Sequence, residues 1–195
     1  VRIIGGTLKR RKLHPLRGQG IRPTTDYLRE SIFNILAGCV EGAVVLDLFA
    51  GTGSFGIEAL SRGASSAVFI DKGTRAIKAL QRNISACSLE KRCTVVRRDV
   101  LRGLSFLKPI GHGFDLVFVD PPYDCGLVEP TLHLLGRAEC MAEEGLVVVE
   151  HSLVETLPER TGGFRRIDQR QHGKTLVSFI ECVMKQLETR RANST

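Results

Sequence analysis

Five apolar runs recur between residues 43 and 150, and segments with helical spacing separate them. They read AVVLDLF at 43–49, SAVFID at 66–71, CTVVRR at 93–98, FDLVFV at 114–119 and GLVVVE at 145–150. The runs are continuous in hydrophobicity rather than alternating, which is the pattern of strands covered on both faces. The stretches 54–62, 74–87, 100–107 and about 127–137 between and after them read as helices. Strand–helix alternation of this kind predicts an α/β fold, a doubly wound, Rossmann-like and mostly parallel seven-stranded sheet. Two later runs, 164–171 and 174–183, meet around His172, Gly173 and Lys174 and predict an antiparallel hairpin at one edge. In open sheets of this type ligands bind beyond the carboxyl ends of the strands. The strongest motifs of the chain stand at those ends.

The glycine-rich loop follows the first run. In LDLFAGTGSFGIEALSRGA, residues 46–64, Gly51, Gly53 and Gly56 fit G-x-G-x-x-G between a strand and a helix. Such a loop brings backbone close to a ligand and presents a helix N-terminus to anionic groups. On its own it is shared by nicotinamide and flavin enzymes. Asp47 narrows the choice, because a dinucleotide loop needs no acid four residues before Gly51. An acid there suits a ligand carrying a cationic amine, such as S-adenosylmethionine; the competing role is a cap on the following turn. Asp71 ends the second strand 20 residues after Gly51, the spacing of a carboxylate that accepts from ribose hydroxyls. Asp99 ends the third strand and suits an adenine amino group. Three acids at three successive strand ends point to one crevice.

The fourth strand runs into Asp120-Pro121-Pro122-Tyr123. Proline has no N–H for a sheet ladder and restricts the residue before it, so the strand ends on a stiffened backbone. The amino nitrogen of a nucleobase is a poor nucleophile, since its lone pair is delocalised into the ring. Two acceptors on its N–H groups return electron density to nitrogen. Asp120 supplies a carboxylate, and Pro121 supplies a carbonyl whose direction Pro122 fixes. Tyr123 supplies a face for a base, a contact worth roughly 1–3 kcal/mol. Rate acceleration then comes from orientation and preorganised dipoles. The competing reading is a plain strand-to-loop stop.

Charge is informative by placement. The net charge is +7, and residues 1–22 carry Arg2, Lys9, Arg10, Arg11, Lys12, Arg17 and Arg22 with no acid. The remaining chain balances 21 basic against 21 acidic side chains, so the whole excess sits on one N-terminal arm. An arm of this sign suits a polyanion, because each neutralised phosphate releases counterions; a solvated tail is the competing reading. Its interleaved apolar residues predict a short hairpin with a basic face. Residues 25–37 follow as a helix, with Leu28, Ile32, Ile35 and Leu36 at core spacing and Thr24 or Thr25 as cap. Cys39, Cys87, Cys93, Cys125, Cys140 and Cys182 form no C-x-x-C pair and do not cluster with histidine, so no metal site is expected and the thiols read as reduced and cytoplasmic. No run of 18 apolar residues predicts a membrane span, and VRIIGGTLKRRKLHPL lacks the apolar core of a secretion signal. The expected organisation is an arm over 1–22, a catalytic domain over 23–184 and a polar tail over 185–195.

Four segments together, RIIGG, RPTTDYLRESIFNIL, LDLFAGTGSFGIEALSRGA and FVDPPY, resemble the bacterial 16S rRNA guanine-N2 methyltransferases, over residues 2 to about 182. The resemblance implies the class I S-adenosylmethionine-dependent methyltransferase fold and methylation of guanine 966, in ribosomal RNA numbering, with S-adenosylhomocysteine as product. It implies Asp47, Phe49, Ala50, Gly51 and Gly53 around the methionine part of the cofactor, Asp71 at the ribose, and Asp99 with Val100 at the adenine. Asp120, Pro121 and Tyr123 would hold the guanine amine. Arg10, Arg11, Lys12, Arg22, Thr24 and Pro122 would lie on the RNA side. The implied partner is 16S rRNA, within the small subunit or an assembly intermediate, and a monomer is expected. The chain departs from the family pattern at Asp71, where glutamate is usual, and in LKRRKL, where a glycine usually separates the basic residues. A DNA adenine-N6 methyltransferase would use the same loop but needs a recognition domain for which no spare segment is long enough. A non-catalytic RNA-binding assembly factor would have no need of Asp120 and Tyr123.

Overall fold

The computed structural model describes residues 1–16, 25–110 and 113–183, in two compact units, Val1–Val100 and Leu101–Thr195. The first unit contains helix α1 (Asp26–Ile35), strand β1 (Val44–Leu48), helix α2 (Ser54–Ser61), strand β2 (Ser66–Asp71), helix α3 (Thr74–Ala86) and strand β3 (Cys93–Arg97). Its strands lie in the order β3-β2-β1 and are all parallel, with Asp47 opposite Phe69 and Asp71 opposite Arg97. Val45, Leu46 and Leu48 are all fully buried, so both faces of β1 are covered. That is why the strand reads as an unbroken apolar run.

The second unit contains β4 (Phe114–Val119), α4 (Val128–Ala138), β5 (Met141–Ser152), β6 (Arg160–Thr161), β7 (Phe164–His172) and β8 (Thr175–Cys182). β4 and β5 are parallel; β5-β8, β8-β7 and β7-β6 are antiparallel. The α/β class, parallel strands and antiparallel edge are as expected, with β6 as an additional two-residue strand. Among the described residues no helix is long and apolar enough to cross a membrane.

Several local expectations need correction. The stretch 100–107 is not an α-helix but two 3-10 turns, Val100–Arg102 and Ser105–Ile110. Gly103, at φ +95°, breaks the helical path between them. β5 begins at Met141 rather than 145, with an irregularity that takes the pairing from Phe114↔Met141 to Leu116↔Leu146. In α1 the cap is Thr25, whose side chain accepts from the Leu28 N–H at 3.1 Å. Ile35 faces solvent at 47% exposure, whereas Arg29 is buried on the inner face with Leu28, Ile32 and Phe33.

The arm is a tight hairpin closed by a single bridge, Arg2 to Lys12, with Ile3 and Leu13 buried. Its Ile4 and Gly5 N–H groups each donate to the Glu58 carboxylate at 2.7 Å. Gly6 sits at φ +72° against the end of α2, where a Cβ would fall 1.8 Å from the Ser61 carbonyl oxygen. The turn at Arg10 takes φ +72° without a glycine.

Candidate active site

In the first unit the loop after β1 is held by Asp71. Its Oδ2 accepts from the Gly51 N–H at 2.9 Å and its Oδ1 from the Gly73 N–H at 2.7 Å. Both oxygens of the expected ribose acceptor therefore also organise backbone, which fixes the carboxylate's direction before any ligand arrives. Phe49 lies in the left-handed region at φ +61°, a cost of roughly 1–2 kcal/mol for a non-glycine residue. The neighbouring Ala50 N–H donates to the Ile70 carbonyl at 3.0 Å and ties the strained turn to β2. Gly53 begins α2 at φ +80°, and a Cβ there would press on Leu80 at 2.4 Å. A Cβ on Gly51 would meet nothing closer than 3.8 Å, so this turn has an open side.

Asp47 lies beneath the loop, only 2% exposed, and its Oδ2 accepts from the Gly56 N–H at 2.9 Å. It thereby caps the first turn of α2, where Gly53 offers no side chain. Burial pushes its carboxyl up from 3.8 to about 8; the Gly56 N–H pulls the other way and the nearby Asp71 charge adds to the rise. A buried acid of this kind is uncharged near neutrality unless a cation comes beside it. Asp99, two residues beyond β3, pairs with Lys72 at 3.3 Å on the surface, and Val100 is buried after it. This donor set fits a nucleoside carrying a diol and a cationic amine: two half-exposed carboxylates at strand ends, a backbone turn with an open side and a neutralised acid beneath it.

In the second unit β4 ends at Val119, and the loop from Asp120 is fastened at three points. The Tyr123 hydroxyl donates to Glu150 Oε1 at 2.5 Å, with Thr175 Oγ1 at 3.0 Å from the same oxygen. Ser152 Oγ donates to Asp124 at 2.5 Å, and the Gly126 N–H donates to Glu155 at 2.9 Å. Burial, followed by the negative Glu150, raises the Tyr123 phenol above its ordinary value, so the tyrosine remains a neutral donor. Pro121 is buried, Pro122 exposed, and Asp120 half-buried. Glu150 is 5% exposed and was not singled out in the sequence. The signal was present, since it closes the apolar run GLVVVE as Asp71 closes its own. Thr175, Ser152 and Glu155 carried no comparable pattern.

Of the expected RNA-side residues, Arg10, Arg11 and Lys12 are exposed on the hairpin, while Arg22 and Thr24 lie outside the described residues. The Arg11 guanidinium donates to the Ala86 carbonyl at the end of α3. Arg2 pairs with Asp26 at 2.8 Å. Lys9, Arg10 and Lys12 carry no ion pair among the described residues. The arm is fastened further by Asn83, fully buried on α3. Its Oδ1 accepts from the His14 N–H at 2.6 Å, and its Nδ2 donates to the carbonyls of His14 at 3.2 Å and Thr52 at 2.9 Å.

A family model described as Conserved hypothetical protein 95 matches residues 1–181. The chain belongs to that family. Within its range of relatives, the protein named Ribosomal RNA small subunit methyltransferase D of Escherichia coli is 40% identical over 81% of this chain and 78% of its own. YlbH of Bacillus subtilis, provisionally described as an rRNA methyltransferase, is 37% identical over 93% of this chain and 98% of its own. The solved structure of yhhF from Escherichia coli, provisionally described as a methyltransferase, superposes with a TM-score of 0.80 at 35% identity, covering 93% of this chain and 97% of that one. The Conserved hypothetical protein 95 chain is thus methyltransferase D-like, with the Rossmann-like methyltransferase fold. The same fold, at 19% identity and a TM-score of 0.64, carries S-adenosylhomocysteine in SMU.776, over 78% of this chain and 49% of that one.

Proposed function

We propose that the protein methylates ribosomal RNA, taking the methyl group from S-adenosylmethionine and placing it on the exocyclic N2 amine of a guanine in 16S rRNA, guanine 966 in ribosomal numbering. The observation that carries the reading is the pinned Asp120-Pro-Pro-Tyr123 loop. Its tyrosine hydroxyl is consumed by Glu150, which leaves the ring face as the part available to a base. The similarity to methyltransferase D and the likeness to methyltransferase structures support it.

When bound, S-adenosylmethionine supplies a methyl group already activated on a sulfonium. Asp71 is directed at the ribose, Asp99 and the backbone at Val100 at the adenine, and Asp47 with the Phe49–Gly53 turn at the methionine part. Asp120 and the Pro121 carbonyl accept from the two N–H groups of the guanine amine and orient its lone pair. Tyr123 holds the base by its face. Arg10, Arg11 and Lys12 of the hairpin, with Lys9, meet the RNA, as do Arg22, Thr24 and Pro122. The arm over 1–22 and the domain over 23–184 divide substrate contact from chemistry.

The test is transfer of labelled methyl from S-adenosylmethionine to small ribosomal subunits that lack their guanine-N2 methyl groups, with protein-free 16S rRNA and DNA alongside. The expected product is N2-methylguanosine in rRNA, lost in Asp120→Ala while cofactor binding persists. N6-methyladenine in DNA, or bound cofactor with no transfer to any substrate, would refute the reading.

A further inference from the structure

The arm and α3 enclose a groove of about 580 Å³ lined by His14, Pro15, Leu16, Arg75, Lys78 and Arg82. We propose that this groove is a track for the RNA backbone, with Arg75, Lys78 and Arg82 neutralising successive phosphates in continuation of Lys9, Arg10 and Lys12 on the hairpin. The proposal rests on the reading of the protein as an RNA-modifying enzyme and extends the RNA contact from the arm onto the body of the first unit.

The sequence of α3, TRAIKALQRNISA, contains three basic residues and no acid. Their i, i+3, i+7 spacing sets them on one stripe spanning about 10 Å of helix axis. The opposite face, Ala76, Ile77, Leu80, Asn83 and Ile84, is buried. All three basic side chains are exposed, and none makes an ion pair among the described residues. A merely solvated helix face mixes signs and gains from i, i+4 pairs; this one forgoes them. Arg75 also stands in the first turn, where the helix dipole disfavours a cation by some tenths of a kcal/mol. Helix stability does not explain the stripe, whereas a polyanion does. The groove has fixed walls, because Asn83 grips the His14 backbone at both N–H and carbonyl. Pro15, Leu16 and Ala79 add apolar surface on which a ribose can lie.

The experiment compares wild type with the triple variant Arg75→Gln, Lys78→Gln, Arg82→Gln, binding protein-free 16S rRNA at a series of KCl concentrations. The substituted side chains are exposed, so the thermal melt and S-adenosylmethionine affinity are expected to stay at wild-type values. The slope of log affinity against log salt is expected to fall in magnitude by about 2, at roughly 0.7–0.9 per phosphate contact. Affinity near 100 mM salt is expected to fall at least about tenfold. A hairpin variant, Lys9→Gln with Arg10→Gln and Lys12→Gln, is expected to reduce the slope independently, and the combined variant to show both losses. An unchanged slope and affinity in the α3 variant, with a wild type that methylates rRNA, would overturn this proposal alone. The same holds if the variant is weakened only toward assembled subunits, which would assign the groove to an acidic protein segment. A wild type that neither binds nor methylates rRNA would overturn both readings.

Discussion

Asp47→Asn isolates the buried acid beneath the glycine-rich turn. Asparagine keeps an oxygen to accept from the Gly56 N–H but cannot ionise. The Asp47 carboxyl titrates near 3.8 when unfolded and near 8 when folded, chiefly because burial disfavours its charge. A folded-state value above the unfolded one means that the folded protein holds the proton more tightly. Between about pH 4 and 8 folding therefore takes up a proton, and stability falls as pH rises through that window, levelling off above it. At about 1.4 kcal/mol per pH unit, the group alone lowers wild-type stability by roughly 2–3 kcal/mol between pH 5 and 7. With a urea dependence of about 2–3 kcal/mol/M for a chain of this size, that is a midpoint shift near 1 M. The assay is urea unfolding of both proteins at pH 5, 6 and 7. His151, buried and pushed below its ordinary value by desolvation, acts with the opposite sign at the acid end. It is common to both proteins and cancels in their difference. Stabilities that change in parallel with pH would refute the placement of an uncharged acid under the turn. Binding of S-adenosylmethionine is expected to ionise Asp47 and release about one proton at pH 7, read by calorimetry in buffers of different ionisation enthalpy.

Further substitutions probe the loop and the arm. Tyr123→Phe keeps the ring but removes the hydroxyl that donates to Glu150; a loss of about 1–3 kcal/mol in unfolding is expected, with RNA affinity less affected than in Tyr123→Ala, where loss of the stacking face is expected to weaken RNA substrate binding roughly 5- to 150-fold. Gly6→Ala places a Cβ on the Ser61 carbonyl at a positive φ; an expected loss of at least about 1–2 kcal/mol by denaturant titration should accompany weaker RNA binding, and an unchanged midpoint would refute the docking of the arm.

What could be read in the sequence was what depends on pattern. The parallel strands announce themselves because successive residues such as Val45 and Leu46 are buried on opposite sides of the sheet, which suppresses alternation. Asp71 stands out because it closes an apolar run and Asp47 because it interrupts one, where a charge is costly without a partner; Asp99 lies two residues past β3, on the surface. The partners themselves do not repeat along the chain. Asp71 holds Gly51 across 20 residues and Tyr123 meets Glu150 across 27, and no local rule links such positions. The 100–107 stretch misleads because its apolar spacing suits a helix while Gly103 sits at a φ that no helix contains. Arg29 misleads in the other sense: its charge argues for solvent, yet its guanidinium lies buried between Asp26, the Arg2 carbonyl and Glu58.

Glu58 is 0% exposed, and two of the donors on its carboxylate are backbone N–H groups of residues 4 and 5. The basic hairpin is therefore not an accessory that can be clipped off to leave an intact catalytic body. A truncated chain would strip the buried Glu58 of two donors and deprive Asn83 of the His14 N–H and carbonyl at once, leaving it the Thr52 carbonyl on the Phe49–Gly53 turn. Loss of methylation on deleting the arm would then report collapse under the Phe49–Gly53 turn as much as lost grip on RNA.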